Sequence, residues 1–222
     1  MSSPIYHVGM PDSEQPADAT PPVRPAEARR AQILAAAAEL FARSGFHGTS
    51  IDELGAAVGT TGPAVYRYFP GKEAILTTLL VEISGTLLDG GRARVAGASG
   101  WDAVEALIDW HVSFALENPA LIVLQSRDLD AVPPADRRRV RRLQRSYVDI
   151  WVDAIGSVAG HLDHITVLAA AHATFGLINS TPHSARLDRD AMAGLLRTMA
   201  RAAIAAVAAT SVRVDLDHPL TR

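Results

Sequence analysis

The sequence lacks cysteine, an excess of positive charge and any long apolar run. The absence of cysteine excludes a disulfide scaffold, a thiolate zinc site and a cysteine nucleophile, and it suits a reducing cytoplasm. The 222 residues carry a net charge of -3, which argues against a surface that is basic throughout and binds nucleic acid generally. A local basic patch would still be enough for phosphate contacts. No uninterrupted apolar run approaches the roughly 20 residues that cross a bilayer, and Met1–Pro4 lacks the basic start of a signal peptide. We therefore expect a cytoplasmic protein without a membrane partner.

Motifs of catalysis are also missing, because the chain has no Walker loop, GxGxxG, GxSxG or HExxH. His161 and His164 lie one helical turn apart and His172 follows on the next predicted turns, which is not a complete set of metal ligands. His111 and His183 stand apart from them. We expect no enzyme activity, no cofactor and no metal, and we keep a helical hydrolase or a scaffold protein as alternatives.

Proline is concentrated at the start of the chain, where six of the 13 prolines fall within the first 25 residues. Residues 1–23 contain three acids and no Lys or Arg, so they bury too little apolar surface to offset their ordering entropy, and we predict a flexible arm. From Arg24 onward helix-favouring residues dominate, and no run of alternating β-branched residues is present. These patterns predict an all-α protein whose parts are residues 24–72, residues 73–210 and a tail at 211–222.

Glycine, proline and cap residues divide the chain into nine predicted helices. Gly45 and Gly59, for example, follow the last periodic residues of the first and second helices. A stripe of leucine and isoleucine marks one face of the fourth. The predicted helices are Ala26–Ser44, Thr49–Val58, Thr61–Phe69, Gly71–Val95, Trp101–Glu117, Pro119–Gln125, Pro133–Ala159, His161–Asn179 and Asp188–Thr210.

The stretch 49–72, TSIDELGAAVGTTGPAVYRYFPGK, carries the most specific signal. Ser50 and Glu53 have the spacing of a capping box, which begins a helix. After a short turn of Gly and Thr, Val65 and Phe69 lie four residues apart and can pack back onto that helix. The pattern predicts a helix-turn-helix whose second helix can lie in a major groove.

The outward residues of the second helix suit contact with DNA. Ala64 has no bulk, so the helix can lie deep in the groove and touch a thymine methyl group. Thr61 and the hydroxyls of Tyr66 and Tyr68 can donate to phosphate oxygens, and Lys72 adds a cation at a helix start. The alternative is an ordinary αα corner with two surface tyrosines. We favour DNA contact, because exposed aromatic side chains on so short a helix have no core to fill.

These residues resemble the DNA-reading segment of the tetracycline-repressor (TetR) family of bacterial regulators. The match consists of Gly59, Thr61, Val65, Tyr66, Tyr68, Phe69 and Lys72, with Phe41, Gly45, Phe46 and Thr49 upstream in AAAAELFARSGFHGTS. It covers about residues 26–80; beyond them only the helical layout and the length agree. One departure is Gly62-Pro63, where many members have a Lys/Arg-Gly pair, so that a cation near the groove is lost.

The resemblance implies a homodimer that binds a roughly palindromic double-stranded operator and responds to a small-molecule effector in its C-terminal domain, most simply as a repressor. It also implies an N-terminal DNA-binding domain at residues 24–72 and an effector-binding and dimerisation domain at residues 73–210. By match, the DNA-contact positions are Thr49, Thr60, Thr61, Pro63, Ala64, Tyr66, Arg67, Tyr68 and Lys72.

The last two predicted helices are rich in alanine, which lets helices approach closely. A two-fold four-helix bundle would bury this surface, so we predict that the homodimer forms through these two helices. The alternative is an internal helical hairpin.

Aromatic residues concentrate where an effector pocket would lie. Bundle interiors that mix aromatic side chains with a few polar groups are common ligand cavities, although plain core packing is the alternative for each residue. The candidate ligand-binding residues are Trp110, His111, Phe114, Arg127, Tyr147, Trp151, His172 and Phe175.

The run from Arg137 to Arg145 contains six arginines on one predicted helix. A charge run of this kind is usually a solvated face. A sharper hypothesis is an anionic head group such as the phosphates of coenzyme A, since guanidinium matches phosphate bidentately. The surrounding sequence also looks like family members associated with acyl-CoA and lipid catabolism, which favours a largely apolar, lipid-like effector.

Overall fold

A computed structural model describes residues 25–181 and 186–210 of the chain. The predicted arm at residues 1–23, the tail at 211–222 and His183 lie outside the described residues. The helices are α1 (Pro25–Ser44), α2 (Ile51–Ala57), α3 (Gly62–Val65), α4 (Lys72–Val95), α5 (Gly100–Glu117), α6 (Pro119–Arg127), α7 (Pro134–Val158), α8 (His164–Ile178) and α9 (Arg189–Ala209). The described residues contain no strand, and the all-α prediction is confirmed.

Helix ends follow local capping, and two helices, α3 and α8, differ from the prediction by more than two residues at one end. α3 is a single turn rather than a helix over 61–69, and it continues as turns in which the Phe69 N–H donates to the Val65 carbonyl at 3.1 Å. α8 begins at His164 instead of His161, because the Asp163 carboxylate accepts from the Thr166 N–H at 2.8 Å and caps the helix there.

The long helix α4 joins the two parts of the molecule. It packs on α7 and α5 along most of its length and on α1 near its start. α6 lies against α1, so both elements connect residues 25–71 to the rest of the protein. Buried apolar residues form one continuous core that extends from Phe41 and Leu54 to the fully buried Trp151. The N-terminal helices and the larger bundle are therefore packed as one body.

Two adjacent glycines in α4 allow α5 and α7 to approach closely. A Cβ at Gly90 would overlap the indole ring of Trp110, and a Cβ at Gly91 would lie 2.7 Å from the Tyr147 ring. Glycine in a helix interior costs about 1 kcal/mol relative to alanine. The close packing of both aromatic rings against the α4 backbone compensates for this cost.

By length and composition alone, α4 and α9 could each cross a membrane. Neither contains an uninterrupted apolar run of about 20 residues, because charged and polar residues interrupt both helices. Leucine and isoleucine raise the mean hydropathy of α4, and alanine and leucine raise that of α9. In the protein the leucine and isoleucine side chains of α4 pack into the core.

Candidate nucleic-acid interface and ligand cavity

The reading head, residues 25–72, begins with the capping box that the sequence predicts. The Glu53 N–H donates to Ser50 Oγ at 3.1 Å, and the Ser50 N–H donates to Glu53 Oε2 at 2.7 Å. The hydrogen bonds from Ser50 lower the pKa of the Glu53 carboxyl below its usual range. These contacts fix the first residue of α2 and therefore the direction in which the helix-turn-helix starts.

Three glycines close the turn between α2 and α3, and sequence reasoning singled out Gly59 and Gly62 but not Gly55. A Cβ at Gly55 would lie 2.6 Å from the Thr61 carbonyl carbon, and a Cβ at Gly62 would overlap the Asp52 carboxylate. Gly59 between them adopts a φ of 67°, which favours glycine. The Gly62-Pro63 departure from the family pattern thus accompanies a tight contact with Asp52.

The outer face of α3 and its following turn presents the predicted DNA-contact side chains. Val65 and Phe69 are buried, at 0% and 3% exposure, and anchor the segment from behind. Tyr66 is 55% exposed and is one of the most exposed large hydrophobic residues in the described chain. Thr61, Pro63 and Arg67 are exposed, while Thr60, Ala64 and Tyr68 are half-buried.

Thr49 and Lys72 occupy a different environment from the other predicted contacts. Thr49 is buried, and its hydroxyl donates to the Gly45 carbonyl at 2.9 Å. The Lys72 ammonium donates to the carbonyls of Phe46 and Thr49 at 3.0 and 3.1 Å and lies 4.7 Å from the centroid of the Phe46 ring. The Lys72 side chain thus joins the loop after α1 to the start of α4, while the Thr49 side chain ties the same loop to the end of α1. Their direct contact with DNA stays a prediction.

A cavity of about 270 Å³ lies among α4, α5, α6, α7 and α8. Four predicted ligand residues line it, and Trp151 packs behind it with its ring centroid 5.1 Å from that of Phe175. The lining residues are Leu87, His111, Ile122, Gln125, Ser126, Gln144, Tyr147, Val148, His172, Phe175 and Asn179. The polar members Gln125, Ser126, Gln144 and Asn179 were not predicted, because their helices meet only in the folded chain.

A buried hydrogen-bonded chain forms one wall of this cavity. His111 Nδ1 lies 3.0 Å from the Tyr147 hydroxyl, and Nε2 lies 3.0 Å from Asn179 Oδ1. Burial lowers the pKa of His111 to about 4, although the Asn179 contact opposes the shift. Since Oδ1 can only accept, the neutral ring is assigned with its proton on Nε2, and Tyr147 then donates to Nδ1. Burial also raises the pKa of Tyr147.

Besides Trp151, three predicted ligand residues lie outside the lining of this cavity, and their contact with a ligand stays a prediction. Trp110 and Phe114 face α4 and line a separate groove, and the Trp110 indole N–H donates to the Leu87 carbonyl at 3.1 Å. Successive side chains on α5 point in directions about 100° apart. Trp110 therefore faces α4, whereas His111 faces Tyr147 on α7. Arg127 extends to the end of α1, where its guanidinium donates to the carbonyls of Phe41 and Ala42.

The arginine run lies at the start of α7. Arg137 binds Asp130 at 3.1 Å and also donates to the Val132 carbonyl, while Arg141 lies 4.0 Å from Asp130. The other four members, Arg138, Arg139, Arg142 and Arg145, are exposed. An anionic ligand at these side chains stays a prediction. Over 25–181 and 186–210, no group of three or more His, Asp or Glu side chains could hold a metal ion.

Helices α8 and α9 share an exposed surface of small and apolar side chains. Ile165 on α8 is 74% exposed, and Leu195 and Met199 on α9 are 44% and 46% exposed. α9 is also tied to α5, because Arg197 pairs with Asp109 at 2.7 Å and Arg201 pairs with Glu105 at 2.6 Å. The exposed alanines and glycines beside the large residues are Ala169, Ala173, Gly176, Ala191, Gly194, Ala202, Ala203 and Ala206.

Known proteins resemble both parts of the chain. The family model described as "Bacterial regulatory proteins, tetR family" matches residues 33–79, and the model "Tetracyclin repressor-like, C-terminal domain" matches residues 97–183. The Fatty acid metabolism regulator protein of Bacillus subtilis (strain 168) is 24% identical over 155 residues, which are 68% of this chain and 79% of that protein.

Two solved structures show the same fold. AibR in complex with isovaleryl coenzyme A and operator DNA has a TM-score of 0.65, at 19% identity, over 77% of this chain and 97% of that chain. FadR from Bacillus subtilis in complex with stearoyl-CoA has a TM-score of 0.58, at 22% identity, over 77% of this chain and 96% of that chain. At these identities the likeness shows the fold alone.

The family-model matches fall on the elements that the geometry singles out. The first covers the capping box, the α2–α3 turn and the start of α4, and the second covers α5 to α8 with most of the cavity wall. The matched family consists of bacterial regulatory proteins and the relative is named a regulator protein, so the enzyme and scaffold alternatives gain no support. The chain belongs to the TetR family and is a ligand-responsive, DNA-binding transcriptional regulator.

Proposed function

We propose that this regulator acts in the cytoplasm as a homodimer that represses transcription from a palindromic operator and changes its DNA affinity when an acyl-CoA-like effector occupies the cavity. The observation that carries the proposal is the combination, in one packed body, of an outward-facing reading segment and a largely apolar cavity. Within the described part of the chain, no Lys, Arg, Asp or Glu side chain lines that cavity.

DNA contact rests on the exposed side chains of the reading segment. Tyr66 and Arg67 extend outward from a segment that Val65 holds in the core, so they can meet the duplex without a change in fold. Arg67 supplies a cation for phosphate, and the small Ala64 lets the backbone approach the base edges. Thr49 and Lys72 support the same surface from inside the head.

The dimer rests on the open faces of α8 and α9. One side of α9 is already paired with α5 through Arg197 and Arg201, while Ile165, Leu195 and Met199 remain exposed. A second copy related by a two-fold axis would cover these side chains and form a four-helix bundle. The two reading heads would then fit half-sites about 34–36 Å apart, or a multiple of that distance.

The acyl-CoA effector is supported by the chemistry of two regions and by the titles of relatives. The cavity is lined in part by apolar side chains that an acyl chain can contact. The arginines at the start of α7 carry guanidinium groups of the kind that bind phosphates. Stearoyl-CoA and isovaleryl coenzyme A are the ligands named for two proteins of the same fold. The related protein from Bacillus subtilis regulates fatty acid metabolism.

Signal transfer is proposed to run through α6. Gln125 and Ser126 belong to the cavity wall, and Arg127 beside them binds the last carbonyls of α1 while pairing with Asp128 at 3.0 Å. A ligand that shifts this wall would therefore move the base of the reading head. Only a ligand with different affinities for the two arrangements can shift the equilibrium between them.

Fluorescence anisotropy with DNA from upstream of the gene tests the proposal, with an acyl-CoA panel from two to eighteen carbons added to the complex. We expect saturable binding, and release by at least one acyl-CoA but not by coenzyme A alone. Tyr66→Phe is expected to weaken DNA binding about 5-fold, which corresponds to one hydrogen bond of about 1 kcal/mol. Absence of DNA binding would contradict the proposed operator. If no acyl-CoA in the panel released the DNA, the proposed effector would be contradicted.

Sedimentation equilibrium tests the dimer. Ile165→Glu places a charge in the proposed interface and is expected to give a monomer with unchanged helicity. Ala93→Glu, on an exposed position of α4 outside that interface, is the matched control and should remain a dimer. A wild-type monomer at micromolar concentration would refute this part of the proposal.

A further inference from the structure

The described lining of the cavity mixes apolar side chains with polar ones, and it includes no Lys, Arg, Asp or Glu. Its polar groups are amides, hydroxyls and imidazoles, and its titratable members are His111, Tyr147 and His172. Burying a carboxylate without a cation costs several kcal/mol, because the hydration of the charge is lost. Of the two histidines, His111 is buried and burial lowers its pKa to about 4, whereas His172 is exposed to solvent.

The hydrogen bonds of His111 also resist protonation. A proton on Nδ1 would turn that atom into a donor, and the Tyr147 hydroxyl, which donates to it at 3.0 Å, would have to find another acceptor. On the other side, Asn179 Oδ1 is occupied by Nε2–H, so the Asn179 amide nitrogen is left to donate to a carbonyl oxygen. The resting network therefore suits a neutral carbonyl group.

Cavity size narrows the ligand further. At about 270 Å³ the cavity lies near the lower end of the roughly 300–1,000 Å³ that ligand pockets occupy. Gly91 brings Tyr147 against α4, and the fully buried Trp151 fills the space behind Phe175. Both contacts limit the room for a long chain.

We propose that this cavity selects the short acyl group of an ester or thioester, with the Asn179 amide donating to its uncharged carbonyl, and that it rejects the corresponding free carboxylate. This inference rests on the proposed function only in taking the cavity as the effector site. It adds the charge state and the length of the buried group, which together distinguish a metabolic thioester from the acid released by its hydrolysis.

Isothermal titration calorimetry with matched probes tests the selection. Isovaleric acid is compared with its N-acetylcysteamine thioester, and stearic acid with stearoyl-CoA, from pH 5.5 to pH 8. We expect the short thioester to bind at least 10-fold more tightly than its acid, with an affinity that does not depend on pH. Equal affinities, binding of the acid with proton uptake, preference for the long chain, or no binding of either short probe would overturn the inference.

A pair of variants at one position sharpens the test. Gln144→Lys adds a cation to the cavity wall and should reverse the preference, so that isovalerate binds better than the thioester. Gln144→Met keeps the side-chain length without the charge and should preserve the preference for the thioester. If Gln144→Lys fails to fold, Asn179→Asp gives a second reading, because it keeps an oxygen that accepts from His111 Nε2–H and removes the amide donor, and so should weaken binding of the thioester. A thioester that binds without altering DNA affinity would refute the effector role in the proposed function and leave this inference standing.

Discussion

The reading head and the effector region, residues 73–210, are organised by contacts of different sequence range. In the head, the capping box joins Ser50 to Glu53, three residues apart. In the effector region, the cavity wall joins His111 to Tyr147 and Asn179, which are 36 and 68 residues away. The proposed DNA-contact surface is thus specified locally, whereas the proposed ligand cavity depends on how distant helices pack.

The largest expected effect concerns the core of the effector region. Trp151→Ala removes a fully buried indole and should lower the free energy of unfolding by about 3–5 kcal/mol. Trp101→Ala is the matched control, since Trp101 is only partly buried, and it should cost clearly less. Urea denaturation followed by circular dichroism measures both. If Trp151→Ala lost no more free energy of unfolding than the control, the effector region would not depend on contacts between distant helices, and the contrast with the reading head would be wrong.

Sequence reasoning identified the reading segment because its signals lie within one or two turns. The cap at Ser50, the buried pair Val65 and Phe69 and the exposed Tyr66 follow from spacing alone. The tight approach of Gly62 to Asp52 was missed, since spacing does not show which backbone atoms meet.

The same reasoning gave only part of the cavity. It grouped Trp110 with His111, yet the two rings face different helices, because neighbouring positions on α5 point in directions about 100° apart. Arg127 was also assigned to the ligand but binds the end of α1. Periodicity in the sequence does not show which of two apolar faces of α5 will meet α7, because α4, α5 and α7 all pack on one another.

Acid should weaken the effector region through His111. The pKa of this residue is about 4 in the folded protein and about 6.5 in an unfolded chain, so between these values only the unfolded state binds the proton. The free energy of unfolding therefore falls as the pH drops from 6.5 to 4, by about 3 kcal/mol. Urea midpoints across this range measure it. His111→Gln should flatten the dependence, and an unchanged slope in this variant would assign it to other groups.

Lys72 tests whether the base of the head supports DNA binding from inside. Lys72→Met loses two charge-assisted hydrogen bonds to carbonyls and should cost about 2 kcal/mol of stability, with weaker operator binding. If the ammonium does not touch phosphate, the slope of log K against log salt should stay unchanged. Arg67→Ala is the comparison, and should reduce that slope by about one phosphate contact. A reduced slope for Lys72→Met would instead place its ammonium on the DNA.

Arg127→Lys tests the connection between the two regions. The lysine keeps a charge beside Asp128 but cannot bind the carbonyls of Phe41 and Ala42 in the same way. Effector affinity in the absence of DNA, and DNA affinity in the absence of effector, should each change less than about 2-fold. In allosteric proteins one ligand normally changes the affinity for the other by about 5–150-fold. In this variant, the free energy of coupling between DNA and effector should fall by at least half. If the coupling between DNA and effector were undiminished, the signal would have to pass through α4 instead of α6.

The smallest effect separates stability from DNA contact inside the reading head itself. Ser50 and Thr61 each precede a helix, but only Ser50 accepts a capping hydrogen bond with its side chain. Ser50→Ala should therefore cost about 1 kcal/mol of stability, whereas Thr61→Ala should leave stability nearly unchanged and weaken operator binding a few-fold. Thermal unfolding and anisotropy on both variants give the four values. Equal stability losses would mean that the Thr61 hydroxyl caps α3 after all, and its exposure would then no longer argue for a phosphate contact.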